Sequence, residues 1–202
     1  MTKKLLIINT SSDEILSEYV ELLSNKLAHL KVTSDIVHYK YLDSIKLFEY
    51  KGIILSPTTI DDDKPDTKES EVNWASKLKY TQKLITYNSP ILGICGGHLL
   101  LGLLFGSKII INSEREVNKN SKIKIIKKVD PLFSNLLSNQ IEVSQFHNNS
   151  ITVPPGFNIL ASSEICKNQI MKHKKKFIYG SQFHIEENDI LFGNFINIVN
   201  SL

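Results

Sequence analysis

The sequence predicts an α/β fold with a mostly parallel central sheet. Short apolar runs alternate with segments of helical periodicity through the first half of the chain, a pattern typical of parallel strands joined by helices. The second half instead carries strand-like segments separated by turn residues, which indicates strands that pair with their neighbours in the chain. With 202 residues and no linker rich in Pro, Gly or Ser, we expect a single domain over residues 1–202.

The predicted elements of the first half begin with KLLIIN at residues 4–9, a short apolar run that indicates a buried strand. The polar cluster from Thr10 to Asp13 can cap a helix, which the apolar spacing predicts over residues 14–30. The alternation continues with strands near 32–39 and 52–55, a helix around 69–87, a strand at 91–94 and a helix over 98–105.

The predicted elements of the second half are strands at 122–128, 140–146, 157–163 and 176–183, with a closing helix over 189–199. The basic run KHKKK at Lys172–Lys176 lies between two apolar stretches and is interpreted as a solvated hairpin turn. The charged stretch at residues 60–70 is long for a connection in a compact domain. It is either a functional lid or rim, or a solvated connection.

The composition excludes several classes of protein. The 24 basic and 21 acidic residues give a formal charge of +3, too close to balance to indicate a nucleic-acid or membrane surface. No apolar run reaches the roughly 18 residues that a membrane span needs, and the N-terminal run is too short for a signal peptide. The two cysteines, Cys95 and Cys166, form neither a disulfide framework nor a metal-ligand spacing. We therefore expect a cytoplasmic protein with no metal and no cofactor.

The most informative stretch is GICGG at residues 93–97, where Cys95 lies between a predicted strand and a predicted helix. This is the context of a nucleophile elbow, a sharp turn whose flanking residues must be small. The helix N-terminus favours a thiolate at Cys95, and the N–H of Gly96 would form half of an oxyanion hole. The alternative is a structural cysteine buried in a glycine-rich turn.

A thiol nucleophile needs a base, and His184 is the best placed of the six histidines. It ends the predicted strand YGSQFH, and Glu186 follows two residues later. Because residues two apart in an extended segment point the same way, Glu186 can reach the imidazole and hold its tautomer.

These residues resemble two motifs of the class I glutamine amidotransferases. GICGGH at 93–98 is similar to the family's cysteine elbow, G-[IV]-C-x-G-[HM]-Q, and QFHIE at 182–186 is similar to its later [QW]-F-H-P-E motif. GIILSP at 52–57 resembles the strand and turn that supply the second oxyanion amide. DPLF at 130–133 and the stretch 145–169 look like the glutaminase domain of GMP synthetase and its free-standing relatives. The pieces occur in the family's order over nearly the whole chain.

The resemblance implies a flavodoxin-like three-layer sandwich, with helices on both faces of the sheet and extra antiparallel strands in the C-terminal half. It also implies a reaction in which Cys95 attacks the side-chain amide of glutamine, His184 transfers the proton and Glu186 orients His184. Water then hydrolyses the γ-glutamyl thioester, giving glutamate and ammonia. In the family, ammonia passes to an ATP-dependent synthetase that aminates an acceptor such as xanthosine monophosphate. The sequence shows no ATP-binding Gly-rich loop, so the expected synthetase is a separate protein.

Three positions depart from the family's pattern. Leu99 replaces the glutamine that usually follows the elbow's histidine, and it cannot form a hydrogen bond. Thr58 stands in the oxyanion turn, usually S-P-G or S-G-G, where its N–H would pair with that of Gly96. A threonine is unfavourable there if the turn requires a positive φ. Ile185 replaces the proline between the histidine and the glutamate.

By position in the family, the substrate pocket is expected around Leu99, Phe146 and His147, with Asn148 interpreted as a turn residue. The first hypothesis is a glutaminase that serves a separate synthetase. The second is a γ-glutamyl peptide or amine hydrolase, which an apolar Leu99 would favour. The third is a catalytically weak regulatory subunit that keeps the fold.

Overall fold

The computed structural model describes residues 4–12, 14, 17–58 and 68–202, with the backbone alone for residues 68–72, 112–119 and 148. The strands are β1 Lys4–Asn9, β2 Ser34–His38, β3 Tyr50–Leu55, β4 Ile91–Ile94, β5 Ile109–Ile125, β6 Gln140–Ile151, β7 Phe157–Ser162, β8 Ile170–His173 and β9 Ile178–Ser181. The helices are α1 Glu18–His29, α2 Lys68–Thr81, α3 Gly96–Leu104 and α4 Asp189–Asn200.

Together the described strands form one sheet in the order β2-β1-β3-β4-β9-β8-β7-β5-β6. The pairs β1–β2, β1–β3, β3–β4 and β4–β9 are parallel. The pairs from β9 outward to β6 are antiparallel. The α/β class is therefore confirmed, with a parallel half from the N-terminal elements and an antiparallel half from the later strands.

The core is divided by the sheet into two apolar clusters, one on each face. Helices α1 and α4 cover one face, where Leu23 and Phe192 are fully buried in the same cluster as Leu92. Helices α2 and α3 cover the other, where Trp74 and Leu100 belong to the second cluster. Because strand side chains alternate between the faces, four-residue β4 contributes to both clusters. This is the three-layer sandwich that the sequence led us to expect.

The predicted and observed boundaries agree closely where apolar runs are short and bounded by polar residues. Strands β1 and β4 have the predicted limits, and the closing helix extends one residue beyond its prediction to Asn200. The basic run agrees in part with its prediction as a turn: Lys174–Lys176 join the antiparallel pair β8 and β9, whereas Lys172 and His173 are the last residues of β8.

Other boundaries were wrong. Helix α1 begins at Glu18 after Ser17, and the predicted capping residue Thr10 instead hydrogen-bonds Ser56. Helix α2 ends at Thr81 and continues as a 3-10 helix over Gln82–Thr86. Strands β5 and β6 are longer than predicted, so Asn148 lies within a strand and not in a turn. Strand β8 was not predicted, and most of the charged 60–70 stretch lies outside the described residues.

Candidate active site

Cys95 occupies a sharp turn between β4 and α3. Its backbone has φ 50° and ψ −109°, and it caps the helix that begins at Gly96. A non-glycine residue with positive φ is uncommon and costs backbone strain, which a structure keeps where the surrounding packing fixes it. The elbow expected from the sequence is therefore present, and the side chain is 4% exposed.

Two glycines allow this turn to pack. A Cβ atom on Gly93 would lie 2.5 Å from the carbonyl oxygen of Gly97, and one on Gly97 would overlap the backbone of Leu55 at the end of β3. Both contacts are with backbone atoms, which cannot move aside as a flexible side chain can. The small residues around Cys95 thus bring α3 directly against the strand ends.

The elbow is joined to the candidate base through strand pairing. The N–H of Cys95 donates a 2.8 Å hydrogen bond to the carbonyl of Ser181, where β9 ends beside β4. Three residues later, His184 begins a 3-10 turn over Ile185–Glu187. Neighbouring parallel strands therefore place the imidazole within hydrogen-bonding reach of the Cys95 thiol.

His184 and Glu186 form a buried pair. His184 Nδ1 lies 2.8 Å from Glu186 Oε1, and each residue is 8% exposed. Burial alone would lower the pKa of His184, but hydrogen bonds with Cys95 and Glu186 and the charges of those groups raise it to about 11. The imidazolium form is consequently favoured beside the sulfur at neutral pH. Ile185 is fully buried and leaves this spacing intact.

Tyr19 covers one face of the His184 ring and was missed from the sequence. Their ring centroids are 5.2 Å apart with an interplanar angle of 31°. Tyr19 comes from α1, far away in the chain, and no motif marks it. The two rings also line a cavity of about 530 Å³ between α1 and the 3-10 turn, together with Leu22 of α1.

The predicted oxyanion residues meet beside the nucleophile. Thr58 is buried, and a Cβ atom on Gly96 would lie 2.7 Å from Thr58 Cβ and closer still to its Oγ1 and Cγ2. The described non-glycine residues with positive φ are Lys31, Cys95 and Asn135. Thr58 is not among them, so the turn does not demand the conformation that threonine resists.

The turn before Thr58 is held by a hydroxyl network. The N–H of Thr10, at the end of β1, donates to Ser56 Oγ at 3.1 Å, and Thr10 Oγ1 donates to the Ser56 carbonyl at 2.9 Å. Ser56 Oγ in turn donates to the Pro57 carbonyl at 2.9 Å. Adjacent strands β1 and β3 therefore fix the backbone that leads to Thr58.

The three residues expected at the substrate pocket differ in placement. Leu99 is fully buried in the cluster on the α3 face, so its side chain packs in the core. Phe146 is half-buried. His147 is buried, and its two ring nitrogens lie 2.8 Å from Gln145 Oε1 and 3.1 Å from the Asn149 carbonyl. Because both are buried, Leu99 and His147 would affect a ligand mainly by shaping the wall of the pocket, and less through exposed polar groups.

No set of three clustered His, Cys, Asp or Glu side chains suited to a metal ion occurs in the part of the chain that the structure describes. Among the described helices, none is both long and apolar enough to cross a bilayer. His38, at the end of β2, is buried with Nε2 2.8 Å from the Ser11 carbonyl.

A cysteine held at a strand-to-helix elbow of a mostly parallel sheet is typical of α/β enzymes that use a nucleophile elbow. Comparison with known proteins narrows this class. The family model for glutamine amidotransferase class-I matches residues 14–196. The chain therefore belongs to the class I glutamine amidotransferase family, and the family and enzyme class expected from the sequence are confirmed.

Three similar proteins are described as GMP synthases or as subunits of them. The chain is 35% identical over 182 residues to a glutamine-hydrolyzing GMP synthase subunit from Methanocaldococcus jannaschii, covering 88% of this chain and 87% of that protein. It is 31% identical to the glutamine-hydrolyzing GMP synthase of Bacillus licheniformis, covering 88% of this chain but 33% of that longer protein. A crystal structure described as a GMP synthase subunit from Thermoplasma acidophilum superimposes with a TM-score of 0.78 at 27% identity, covering 100% of this chain and 96% of that one.

Proposed function

We propose that the chain is the glutamine-hydrolysing subunit of a two-subunit GMP synthase and uses Cys95, His184 and Glu186 to release ammonia from glutamine. The observation that carries the proposal is the position of His184, which reaches both Cys95 and Glu186 in one buried site. A nucleophile, a base and an orienting carboxylate in this order are what thiol-based amide hydrolysis requires.

The first half of the reaction forms a thioester. The Cys95 thiolate adds to the γ-carbonyl carbon of glutamine, and the carbonyl oxygen becomes an oxyanion that accepts hydrogen bonds from the N–H groups of Gly96 and Thr58. When the carbonyl reforms, the C–N bond breaks and the leaving nitrogen takes the proton held by His184. The products are ammonia and a γ-glutamyl thioester on Cys95.

The second half uses water. Neutral His184 accepts a proton from a water molecule as that water attacks the thioester carbonyl. The new oxyanion occupies the same hole, and its collapse expels the Cys95 thiolate and frees glutamate. Glu186 keeps the same imidazole tautomer throughout, so one histidine serves as acid and then as base.

The proposed partner is an ATP-dependent synthetase subunit that aminates xanthosine monophosphate. The lengths of the relatives support this division of labour, because the chain spans most of the Methanocaldococcus jannaschii subunit but a third of the longer Bacillus licheniformis enzyme. Glutamine is the proposed substrate and the synthetase is the proposed partner, and neither nucleic acid nor membrane is part of the proposal.

Glutamate release from glutamine by the purified protein tests the proposal, with the synthetase partner, ATP and xanthosine monophosphate supplied in a parallel assay. Wild type should release glutamate, and Cys95→Ser should be inactive while melting at the same temperature. Cys166→Ser is the matched control and should retain activity, because the buried Cys166 belongs to the connection between β7 and β8, where its N–H donates to Ser163 Oγ.

Other outcomes separate the alternatives. Release from γ-glutamyl peptides but not from glutamine would favour the γ-glutamyl hydrolase. An inactive wild-type protein that still raises the synthetase's use of free ammonia would favour the regulatory role.

A further inference from the structure

The Thr58 side chain has an unused hydroxyl group at the elbow. Thr58 is 6% exposed, and its Oγ1 is buried with no hydrogen-bond partner in the residues that the structure describes. A buried hydroxyl without a partner is unfavourable and is uncommon in native proteins. The neighbouring Ser56 hydroxyl, by contrast, is fully engaged with Thr10 and Pro57.

The position of this hydroxyl is set by Gly96. The space that a side chain at residue 96 would fill is already taken by Thr58 Cβ, Oγ1 and Cγ2. Residue 96 directly follows the nucleophile at the start of α3, and its N–H is one of the two proposed oxyanion donors. Thr58 Oγ1 therefore lies beside the residue that supplies one of the proposed oxyanion donors.

Thr58 and Gly96 reverse the arrangement expected from the family motifs. In those motifs the oxyanion turn ends in glycine, and the residue after the cysteine is variable. Here the side chain stands at residue 58 and the glycine at residue 96. Apolar packing alone would be satisfied by valine, which has the same shape as threonine. A hydroxyl at this buried position without a partner among the described residues thus points to a polar use at the elbow.

We propose that Thr58 donates two hydrogen bonds to the oxyanion, one from its backbone N–H and one from Oγ1–H. This inference rests on the proposed thiol chemistry and adds a catalytic residue to it. When the thiolate adds to the carbonyl carbon, the π electrons move to oxygen, and Oγ1–H hydrogen-bonds that charge without transferring its proton. When the carbonyl reforms and the leaving group departs, the hydroxyl loses its partner again.

The test compares Thr58→Val, which keeps the shape and removes the hydroxyl, with Thr58→Ser, which keeps the hydroxyl. Removal of an oxyanion donor is expected to lower kcat for glutamine by about 100-fold in Thr58→Val, with KM unchanged. The melting temperature should stay the same or rise, because valine keeps the shape and removes a buried hydroxyl that has no partner among the described residues. Thr58→Ser should stay within about 3-fold of wild type, since a serine hydroxyl reaches the same place.

Two further measurements separate this role from others. Alkylation of Cys95 by iodoacetamide forms no oxyanion, so its rate should be the same in wild type and Thr58→Val. Hydrolysis of p-nitrophenyl acetate does form an oxyanion but needs no recognition of glutamine, so Thr58→Val should slow it as well. The ester assay therefore tests Thr58 even where glutamine is not the substrate.

Equal rates for wild type and Thr58→Val in both hydrolytic assays would overturn the proposal, as would a wild-type protein that hydrolyses neither compound. A loss in Thr58→Val that appears equally in iodoacetamide labelling would also overturn it, because the hydroxyl would then act on the thiolate. Ester hydrolysis that depends on Cys95 and Thr58, without release of glutamate from glutamine, would uphold Thr58 and reject the proposed substrate.

Discussion

The ring of Tyr19 lies over the ring of His184, with centroids 5.2 Å apart and planes inclined by 31°. This contact joins α1, the first helix of the chain, to the histidine that follows the last strand. An aromatic face stabilises a cation placed against it. Tyr19 is therefore expected to hold the imidazolium in place and to favour its protonated form.

Replacement of Tyr19 should weaken catalysis through His184. We expect Tyr19→Ala to lower kcat roughly 3- to 10-fold with little change in KM, and to shift the pH profile of kcat, because one aromatic contact with a cation is lost. Tyr19→Phe keeps the aromatic ring and should therefore have the kcat and the pH profile of the wild type. Leu22→Ala is a suitable control, since Leu22 lines the same cavity. If Leu22→Ala lowered kcat as much as Tyr19→Ala, the loss of activity would be due to a disturbed α1 and not to the lost ring contact.

The two cysteines should differ in reactivity. Cys95 stands at a helix N-terminus within reach of His184, whereas Cys166 is fully buried. Because the thiolate is the reactive form, iodoacetamide should label Cys95 at least about 10-fold faster than Cys166 at pH 7, as peptide mass spectrometry would show.

The pH dependence of this labelling tests the raised pKa of His184. A protonated imidazole beside the sulfur stabilises the thiolate, so labelling of Cys95 should persist at pH 6. In His184→Asn that reactivity should appear only as the pH approaches the ordinary thiol range, near 8.5. Slow labelling at both cysteines in the wild type would contradict an activated nucleophile.

A pair of glycine substitutions should have opposite effects on stability. Gly97→Ala forces a Cβ into the Leu55 backbone and should lower the free energy of unfolding by roughly 1–3 kcal/mol or more. Gly193 lies within α4, and a Cβ there would meet nothing within 4 Å. Gly193→Ala should raise the free energy by about 0.5–1 kcal/mol. Urea unfolding measures both, and a neutral Gly97→Ala would contradict the packing described for the elbow.

His98 should make the fold sensitive to acid. Burial, and next the charge of His147, lower its pKa to about 3, which the backbone of Gly180 and Asn168 offsets only in part. Its ordinary pKa in the unfolded chain is 6.5. Because the unfolded chain then binds a proton that the folded chain excludes, the contribution of neutral His98 is present above pH 6.5 and is lost progressively toward pH 3.

Melting temperatures measured at pH 7.5 and at pH 5 test this contribution of His98 to acid sensitivity. His98→Met should show a smaller drop between the two pH values than the wild type. The exposed His29 provides the matched control, and His29→Met should show the full wild-type drop. An unchanged drop in His98→Met would mean that carboxylates, present in all three proteins, account for the acid sensitivity.

Local patterns explain which parts of the molecule could be predicted. The elbow depends on a short stretch of chain, so glycine spacing was sufficient to predict it. The His184–Glu186 contact was predicted from the two-residue period of an extended segment, but the structure forms it through the 3-10 turn over Ile185–Glu187. Strand β8 was missed because its four residues, Ile170–His173, carry too few alternations to stand out from the adjoining basic turn. Its pairing with β7 and β9 is a tertiary property.

Tyr19 and the interior position of Leu99 could not be predicted for the same reason. The Tyr19 contact depends on how α1 packs against a turn that lies more than 160 residues later in the chain. Leu99 was assigned to the pocket from its place in the family motif, and the structure buries it completely in α3, where every residue except Leu103 is buried.

The hydrogen bond from the N–H of Cys95 to the carbonyl of Ser181 also bears on how activity arises during folding. The first four strands can bring Cys95 to its elbow, but the proposed base, His184, reaches it only when β9 pairs with β4. Such long-range pairing is a slow step in folding. A newly made chain is therefore expected to bring His184 to Cys95 only once β9 is in place, so the proposed hydrolysis would require the completed sheet.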